Sequence, residues 1–397
     1  MKIMLIIPTL GYGGAESLVL NWIRDWLDSD RVRSIVLVLY SADFASRLGE
    51  MANHPKFKLI VEDTNTPWQI MRPRYLLHLW RLRRIIREEA PDVIHCHLVA
   101  GLDLAFIRRW LRQPPLIVFT CHGIVEKNSK KSYQRIEKRF FNSKNVVAVC
   151  VSPTLQKFFE NFYQSPSRVI WNGSPVVQTS VSGDALRREL LTLPAEQSPN
   201  RKIFLAVGRV MRQKNYEMLT AVFRRLYEKK TDVMLVVLGD FVSERNREIY
   251  EPMKAQNIFF MGRKDNVPEF LAAADFYCTA SIYEGCSIAL TEAMAAKIVP
   301  VVTKVPGIVD VISDREHGII ADDLSEESYE RAVLAALALG EDEKARIVQN
   351  NYTFYRENLV MEVCSKRYLD LFDEYLGERR GLSENGRSRT GGSAKNH

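Results

Sequence analysis

No stretch of about 18 consecutive apolar residues occurs anywhere in the chain, so no segment reads as a transmembrane span. The first apolar run, Ile3 to Ile7, follows a single Lys2 and is ended by Pro8. It is too short for a secretory signal peptide and has the length of a buried strand. Cysteine is sparse: Cys96, Cys121, Cys150, Cys278, Cys286 and Cys364 form no Cys-x-x-Cys pair. That excludes a disulfide framework and a structural zinc site, and thiols set inside apolar runs suit a reducing cytosol. No short internal repeat is visible. What remains is a chain of 397 residues with 46% apolar, 10% aromatic and 26% charged positions. That is enough for two ordinary domains but not three, and it excludes global disorder, collagen and coiled coil.

The net charge of +7 is unevenly spread: residues 1–170 hold 25 Lys+Arg against 15 Asp+Glu, and the remainder 30 against 33. A basic first half and a slightly acidic second half point to different partners. Phosphates, anionic lipid and nucleic acid all suit a basic face.

The first half alternates short apolar runs with helical patterns. Strands are predicted at Ile3–Ile7, Ser34–Leu39, Phe57–Val61, Val93–His95, Leu116–Thr120 and Val146–Val151. Helices are predicted at Ala15–Leu27, Tyr75–Glu89, Gly101–Leu111, Lys131–Phe141 and Pro153–Phe162. After the turn signal at Asn172-Gly173 the alternation restarts. Apolar runs Ile203–Val207, Val233–Leu238, Ile258–Met261, Val267–Ala273, Phe276–Thr279 and Val299–Val302 are interspersed with helices 215–229, 244–255 and 287–296. This pattern calls for α/β architecture with two doubly wound sheets in tandem, and ligands in a cleft at the carboxyl ends of the strands. The expected domains are 1–172 and 173–356, followed by a helix over 357–376 and a disordered tail over 377–397.

Three loops carry candidate chemistry. Gly11-Tyr12-Gly13-Gly14-Ala15-Glu16 follows the first strand, but Glu16 stands where a dinucleotide fingerprint needs its third glycine. Backbone N–H groups of Gly13 and Gly14 can still face an anion, and a simple tight turn is the alternative. In Gly208-Arg209-Val210-Met211-Arg212-Gln213-Lys214, Arg209 and Lys214 can both reach one diphosphate, or can be two solvated loop cations. In Ser281 to Ala295, Glu284 lies on a loop and Glu292 inside the helix that Gly285–Ser287 starts. Eight residues of helix cover roughly 12 Å, about the span from a hexose through a diphosphate to a ribose. Two carboxylates so spaced can accept hydroxyl hydrogen bonds at both ends of a nucleotide-sugar whose diphosphate faces the helix N-terminus.

These motifs resemble the GT-B glycosyltransferases of the retaining family 4, also called glycosyl transferases group 1. The family's E-x7-E is matched by Glu284 and Glu292, its G-R-x-x-x-x-K by Gly208, Arg209 and Lys214, and its Gly-Gly-x-Glu by Gly13, Gly14 and Glu16. Asp92–His97, Thr120–Gly123 and Asn172-Gly173 match three further pieces, so the resemblance runs from residue 1 to about 375. It implies a GT-B fold: two Rossmann-like domains, a cleft between them and a C-terminal helix returning to the first.

The resemblance also implies roles. Arg209, Lys214 and the N–H groups near Ser287 and Ile288 would hold the donor diphosphate, with Gly14 closing that side. Glu292 would bind the ribose and Arg263 would border the base. Glu284, flanked by Gly285 and Cys286, would bind the transferred sugar, with His122 beside it. Glu284, His122, Arg209 and Lys214 form the implied catalytic set, and Gly13, Gly14 and His97 the acceptor side. The co-substrate would be a nucleotide-sugar (UDP before GDP) and the acceptor a glycan or lipid-linked hydroxyl in polysaccharide or lipopolysaccharide assembly. No cofactor or metal is implied, since no Asp-x-Asp lies in the loops between strands of the second half. The chain departs from the family pattern at Cys286, Ser287, Lys297 and Pro306-Gly307-Ile308-Val309-Asp310. A GT-B hydrolase or epimerase, or a non-catalytic nucleotide-binding module, would keep the same grip.

His95 and His97 are expected on one side of their strand, with Cys96 opposite. With His122 and Cys121 they suggest a metal site, but no Asp or Glu accompanies them at ligand spacing. Arg72, Arg74, Arg81, Arg83, Arg84 and Arg87 interleave with Trp68, Tyr75 and Trp80; Lys127, Lys130, Lys131, Arg135, Lys138 and Arg139 form a second basic cluster. Helix 75–89 alone reads as an amphipathic core helix with a solvated cationic face, whereas the two clusters together suit peripheral docking on anionic membrane from the cytoplasm. No nucleic-acid recognition motif accompanies the charge.

Overall fold

The computed structural model describes residues 1–62, 73–111, 114–124, 133–175, 182–196 and 198–390. Trp68, Arg72, Lys127, Lys130 and Lys131 lie outside them. The chain divides into two compact units. One comprises Met1–Val151, Gln156–Ile170 and the final helix from Glu362; the other comprises Ser152–Leu155 and Trp171–Met361.

In the first unit the apolar runs become β1 (Lys2–Ile7), β2 (Ser34–Leu39), β3 (Phe57–Val61), β4 (Val93–His97), β5 (Leu116–Cys121), β6 (Val146–Cys150) and β7 (Ser167–Val169). They form one parallel sheet in the order 3-2-1-4-5-6-7. The crossovers use α1 (Gly14–Leu27), α2 (Pro73–Glu89), α3 (Ala100–Ile107), α4 (Gln134–Phe141) and α5 (Pro153–Tyr163). Covered on both faces, the central strands need no polar alternation, which is why they read as continuous apolar runs. The strand order reverses between β1 and β4, so the loops after these strands flank a crevice.

The second unit repeats the plan. β8 (Lys202–Val207), β9 (Val233–Leu238), β10 (Ile258–Phe260), β11 (Phe276–Thr279), β12 (Val299–Thr303) and β13 (Ile319–Ala321) form a parallel sheet in the order 10-9-8-11-12-13. Its helices are α6 (Asp184–Leu191), α7 (Tyr216–Glu228), α8 (Glu244–Tyr250), α9 (Val267–Ala273), α10 (Ile288–Ala295), α11 (Glu326–Leu337) and α12 (Glu341–Asn358). The switch point lies between β8 and β11, whose following loops carry Gly208–Lys214 and Ser281–Glu284.

Several boundaries differ from the sequence-based expectation. α8 stops at Tyr250 and a 3-10 turn over Glu251–Met253 follows, because Pro252 has no N–H to continue the helix. The helix expected over 357–376 is broken at Leu359–Val360, where the backbone pairs with Ser174 instead: Ser174 N donates to Leu359 O at 2.9 Å and Met361 N to Ser174 O at 3.0 Å. The final helix, α13 (Met361–Thr390), runs on into the stretch expected to be disordered. Extending an anchored helix costs far less than nucleating one.

α13 packs within the first unit. Tyr368 OH lies 2.9 Å from Thr120 Oγ1, and Trp26 Nε1 donates to Ser365 O at 3.4 Å. Trp22 and Trp26 stack at 6.0 Å beneath it, both fully buried. On burial alone each such aromatic contributes about 3 kcal/mol.

The first unit also holds a buried polar cluster that no sequence pattern announced. His78 sits with Nδ1 2.6 Å from Glu62 Oε2 and Nε2 3.3 Å from Asp103 Oδ2. Tyr75 and Tyr40 donate to the two oxygens of Asp103 at 2.6 and 2.7 Å. Burial alone would lower the His78 pKa, but its contacts with Asp103 and Glu62 outweigh this and raise it to about 9.

Candidate active site

In the second unit β8 is followed by Gly208, whose N–H donates to Leu238 O at 2.9 Å and whose carbonyl accepts from Tyr216 OH at 3.0 Å. A Cβ on Gly239 would stand 2.0 Å from Gly208 O, so the ends of β8 and β9 approach this closely only because residue 239 has no side chain. A short 3-10 turn, Arg212–Lys214, then brings Lys214 back across Gly208, and Asn215 at φ 53° starts α7. Asn and Asp tolerate this left-handed conformation better than most residues.

The loop after β11 delivers Glu284. Its Oε1 accepts from Lys214 Nζ and from Ser281 Oγ, each at 2.7 Å. Ser281 is itself held: Thr279 Oγ1 lies 3.0 Å from its hydroxyl, and Thr303 Oγ1 donates to its carbonyl at 2.7 Å. Gln213 ties the two loops together, accepting from Ile282 N and donating to Tyr283 O, both at 2.9 Å. Gly307, at φ 81°, packs under the site, where a Cβ would lie 2.5 Å from Glu284 O. Lys214 and Glu284 side chains are 17% and 8% exposed, so their charges meet largely out of water.

α10 begins beside them. Its cap Ser287 accepts from Leu290 N at 3.4 Å, and Asn172 Nδ2 donates to Cys286 O at 3.4 Å. Gly285, Cys286 and Ser287 are buried and Ile288 half-buried; burial pushes the Cys286 thiol up to about 12. The Glu292 side chain, further along α10, has no hydrogen bond or ion pair among the described residues, and burial raises its carboxyl to about 7. Arg209 is exposed, whereas Lys214 is engaged by Glu284. Arg263 is also exposed; its N–H donates to Asp240 Oδ1 at 3.0 Å and its Nε lies 3.8 Å from Asp265 Oδ1.

The remaining candidates lie in the first unit. Gly13 caps α1, and a Cβ there would fall 2.2 Å from Glu16 Oε2, so the Glu16 carboxylate fills the space beside Gly13. An anion approaching the exposed Gly14 meets that negative charge. Arg47 braces the loop, donating to Leu10 O at 2.8 Å, to Gly11 O, and to Ser17 Oγ at 3.1 Å. His97 Nδ1 and His122 Nε2 share a hydrogen bond of 3.1 Å, while His95 Nε2 bonds Thr120 Oγ1 at 2.8 Å. Burial lowers all three imidazoles, His122 to about 4, so they are neutral at pH 7. Among the described residues no three His, Cys, Asp or Glu side chains are placed to hold a metal ion.

Sequence reading gives no role of their own to Ser281, Gly239, Gly307 and Arg47. A glycine directly after an apolar strand, as at Gly239, was a usable signal; the reach of Ser281 to Glu284 and of Arg47 to Gly11 depends on tertiary folding.

Residues 12–176 match the family model of Glycosyltransferase Family 4, and residues 193–354 that of Glycosyl transferases group 1. The chain belongs to this glycosyltransferase family. This family member is 31% identical over 153 residues to the N-acetylgalactosamine-N,N'-diacetylbacillosaminyl-diphospho-undecaprenol 4-alpha-N-acetylgalactosaminyltransferase of Campylobacter jejuni, covering 38% of this chain and 40% of that protein. It is 23% identical over 240 residues to the UDP-Gal:alpha-D-GlcNAc-diphosphoundecaprenol alpha-1,3-galactosyltransferase of Escherichia coli, covering 57% of this chain and 61% of that protein. The matches therefore span less than two thirds of these curated relatives. The structure of Anabaena HepE in complex with UDP-glucose superposes with a TM-score of 0.75 at 18% identity, over 94% of this chain and 100% of that one. That likeness establishes the GT-B fold. Among the described residues no helix is long and apolar enough to cross a membrane.

Proposed function

We propose that the chain transfers a hexose-type sugar from a nucleoside-diphosphate donor, UDP rather than GDP, to a hydroxyl of a glycan or lipid-linked acceptor, in assembly of a cell-surface polysaccharide or lipopolysaccharide. Transfer retains the anomeric configuration, needs no metal, and takes place in the cytoplasm against the membrane. The observation that carries the reading is the Lys214–Glu284 pair at the switch point of the second sheet, with Glu292 on the helix that follows. Support for UDP and for a lipid diphosphate acceptor comes from the names of the E. coli relative and the Anabaena neighbour.

In this reading the donor diphosphate draws Lys214 from Glu284 and is met by Arg209 and the N–H groups at Ser287 and Ile288. Glu284, released, accepts from sugar hydroxyls, with Gly285 and Cys286 alongside; Glu292 accepts from the ribose, and Arg263 borders the base. Gly13, Gly14, His97 and His122 of the first unit serve the acceptor and sugar. The acceptor oxygen bonds to C1 on the face from which the diphosphate departs, and the C1–O bond to the β-phosphate breaks. The departing phosphate oxygen takes the hydroxyl proton, leaving UDP and the glycoside. Lys214 and Arg209 stabilise the charge that grows on the leaving group.

The test incubates the full chain with labelled UDP-hexoses and a diphosphoundecaprenol-linked sugar in EDTA, and reads the anomeric proton of the product. An α-linked product from the α-linked donor is expected. A β-linked product, sugar release at the same rate without acceptor, or bound UDP-hexose that never turns over would each contradict the reading.

A further inference from the structure

Helix α2 carries large apolar side chains on two faces. Tyr75, Leu79, Leu82 and Ile86 are buried, while Leu76, Leu77 and Trp80 stand exposed at 66%, 44% and 53%. At 100° per residue the exposed three share an arc of roughly 140° with Arg81, Arg84 and Arg87. The apolar members occupy the first turns and the arginines the last. Trp110, 54% exposed, borders the same face, because its carbonyl accepts from Arg83 Nε at 3.2 Å. The acidic member of the arc, Glu88, is paired with Arg84 at 2.6 Å.

A core helix with a solvated cationic face does not account for this arrangement, since two tryptophans and two leucines held in water mark a contact surface. The rim decides what covers it. Arginines beside Trp and Leu on one helix, in a half of the chain with 25 cations against 15 anions, complement a negatively charged apolar boundary, and their aliphatic stems can lie along the acyl region while the guanidinium groups stay at the headgroups.

We propose that this face of α2, together with Trp110, docks on the surface of an anionic lipid bilayer. It deepens the reading of a membrane-held acceptor by naming the surface that meets the membrane, yet it needs neither donor nor transfer.

The test is cosedimentation of the full chain with vesicles of phosphatidylcholine alone and of equimolar phosphatidylcholine and phosphatidylglycerol. Binding to the mixed vesicles is expected, ~10-fold or more above phosphatidylcholine alone and reduced by high salt. The double variant Leu76→Ser, Trp80→Ala and the triple variant Arg81→Gln, Arg84→Gln, Arg87→Gln should each lose ~10-fold or more of that binding, with circular dichroism and UDP affinity unchanged. Equal binding to both vesicle types, undiminished binding of either variant, or a Trp80-dependent dimer in solution would overturn the proposal. Loss of UDP binding with vesicle binding intact would strike the donor site instead.

Discussion

Lys214 donates to Glu284 Oε1 across 2.7 Å, joining the loops that leave β8 and β11. A cation and a carboxylate proposed to meet different parts of one donor are thus paired with each other. The pair keeps each charge compensated out of water, and in the proposed function a diphosphate arriving at Lys214 would free Glu284 for the sugar. Lys214→Ala should weaken UDP binding by ~10-fold to 100-fold, the worth of a charge-assisted hydrogen bond, as titration calorimetry would read. Glu284→Gln should leave UDP affinity close to wild type and lower turnover.

Ser281 donates to the same Glu284 oxygen and, in the proposed function, would fix the carboxylate once a diphosphate draws the lysine away. Ser281→Ala should lower kcat for sugar transfer on the order of 10-fold, with UDP affinity little changed. Urea unfolding should show about 1 kcal/mol lost, as for a buried hydrogen bond. Equal losses in UDP affinity and kcat would contradict the positioning role.

Glu292 supplies a pH signature. Its carboxyl is raised to about 7 by burial, and in the proposed function the ionised form would accept from the ribose hydroxyls. Affinity for UDP-glucose, whose diphosphate does not titrate near neutrality, should therefore rise as pH goes up through about 7. The Glu292→Gln variant should bind more weakly and show no such step.

The cluster at His78 makes the opposite prediction for stability. The folded pKa of about 9 lies above the ordinary His value of 6.5. The stabilisation is therefore fully present below about pH 6.5 and is lost as pH rises through about 9. Urea unfolding across that window should show stability falling with pH. His78→Gln should flatten that slope and cost about 3 kcal/mol by leaving Asp103 and Glu62 buried without their cation.

Much of the architecture was legible because parallel strands covered on both faces advertise themselves as apolar runs: Ile3–Ile7, Ser34–Leu39 and Val233–Leu238 needed no structure to be read. Chemistry concentrated at strand ends was legible for the same reason, since Gly208 directly follows such a run and Glu284 lies on the loop after another. β13, three residues long, carries too little periodicity to announce itself. α11 did carry a signal, with Tyr329, Ala332, Val333 and Ala336 at helical spacing behind the cap Ser325, and it went unread. The ionic partner of Lys214 could not be inferred, because Glu284 lies 70 residues further along the chain and meets the lysine only once β8 and β11 have paired. Nor could the Glu62–His78–Asp103 cluster, whose members come from separate elements and meet only once the sheet has formed.

The most direct measurement is thermal unfolding of the full chain with UDP, GDP, ADP, CMP and NAD, each in EDTA and again with magnesium. A ligand at 100 times its Kd adds about 2.7 kcal/mol, a shift of a few degrees for a protein of this size. The account predicts a shift with UDP, unaltered by magnesium and cut to about half or less in Lys214→Ala. A shift with NAD alone, a UDP response that requires magnesium, or no response to any nucleotide would contradict it.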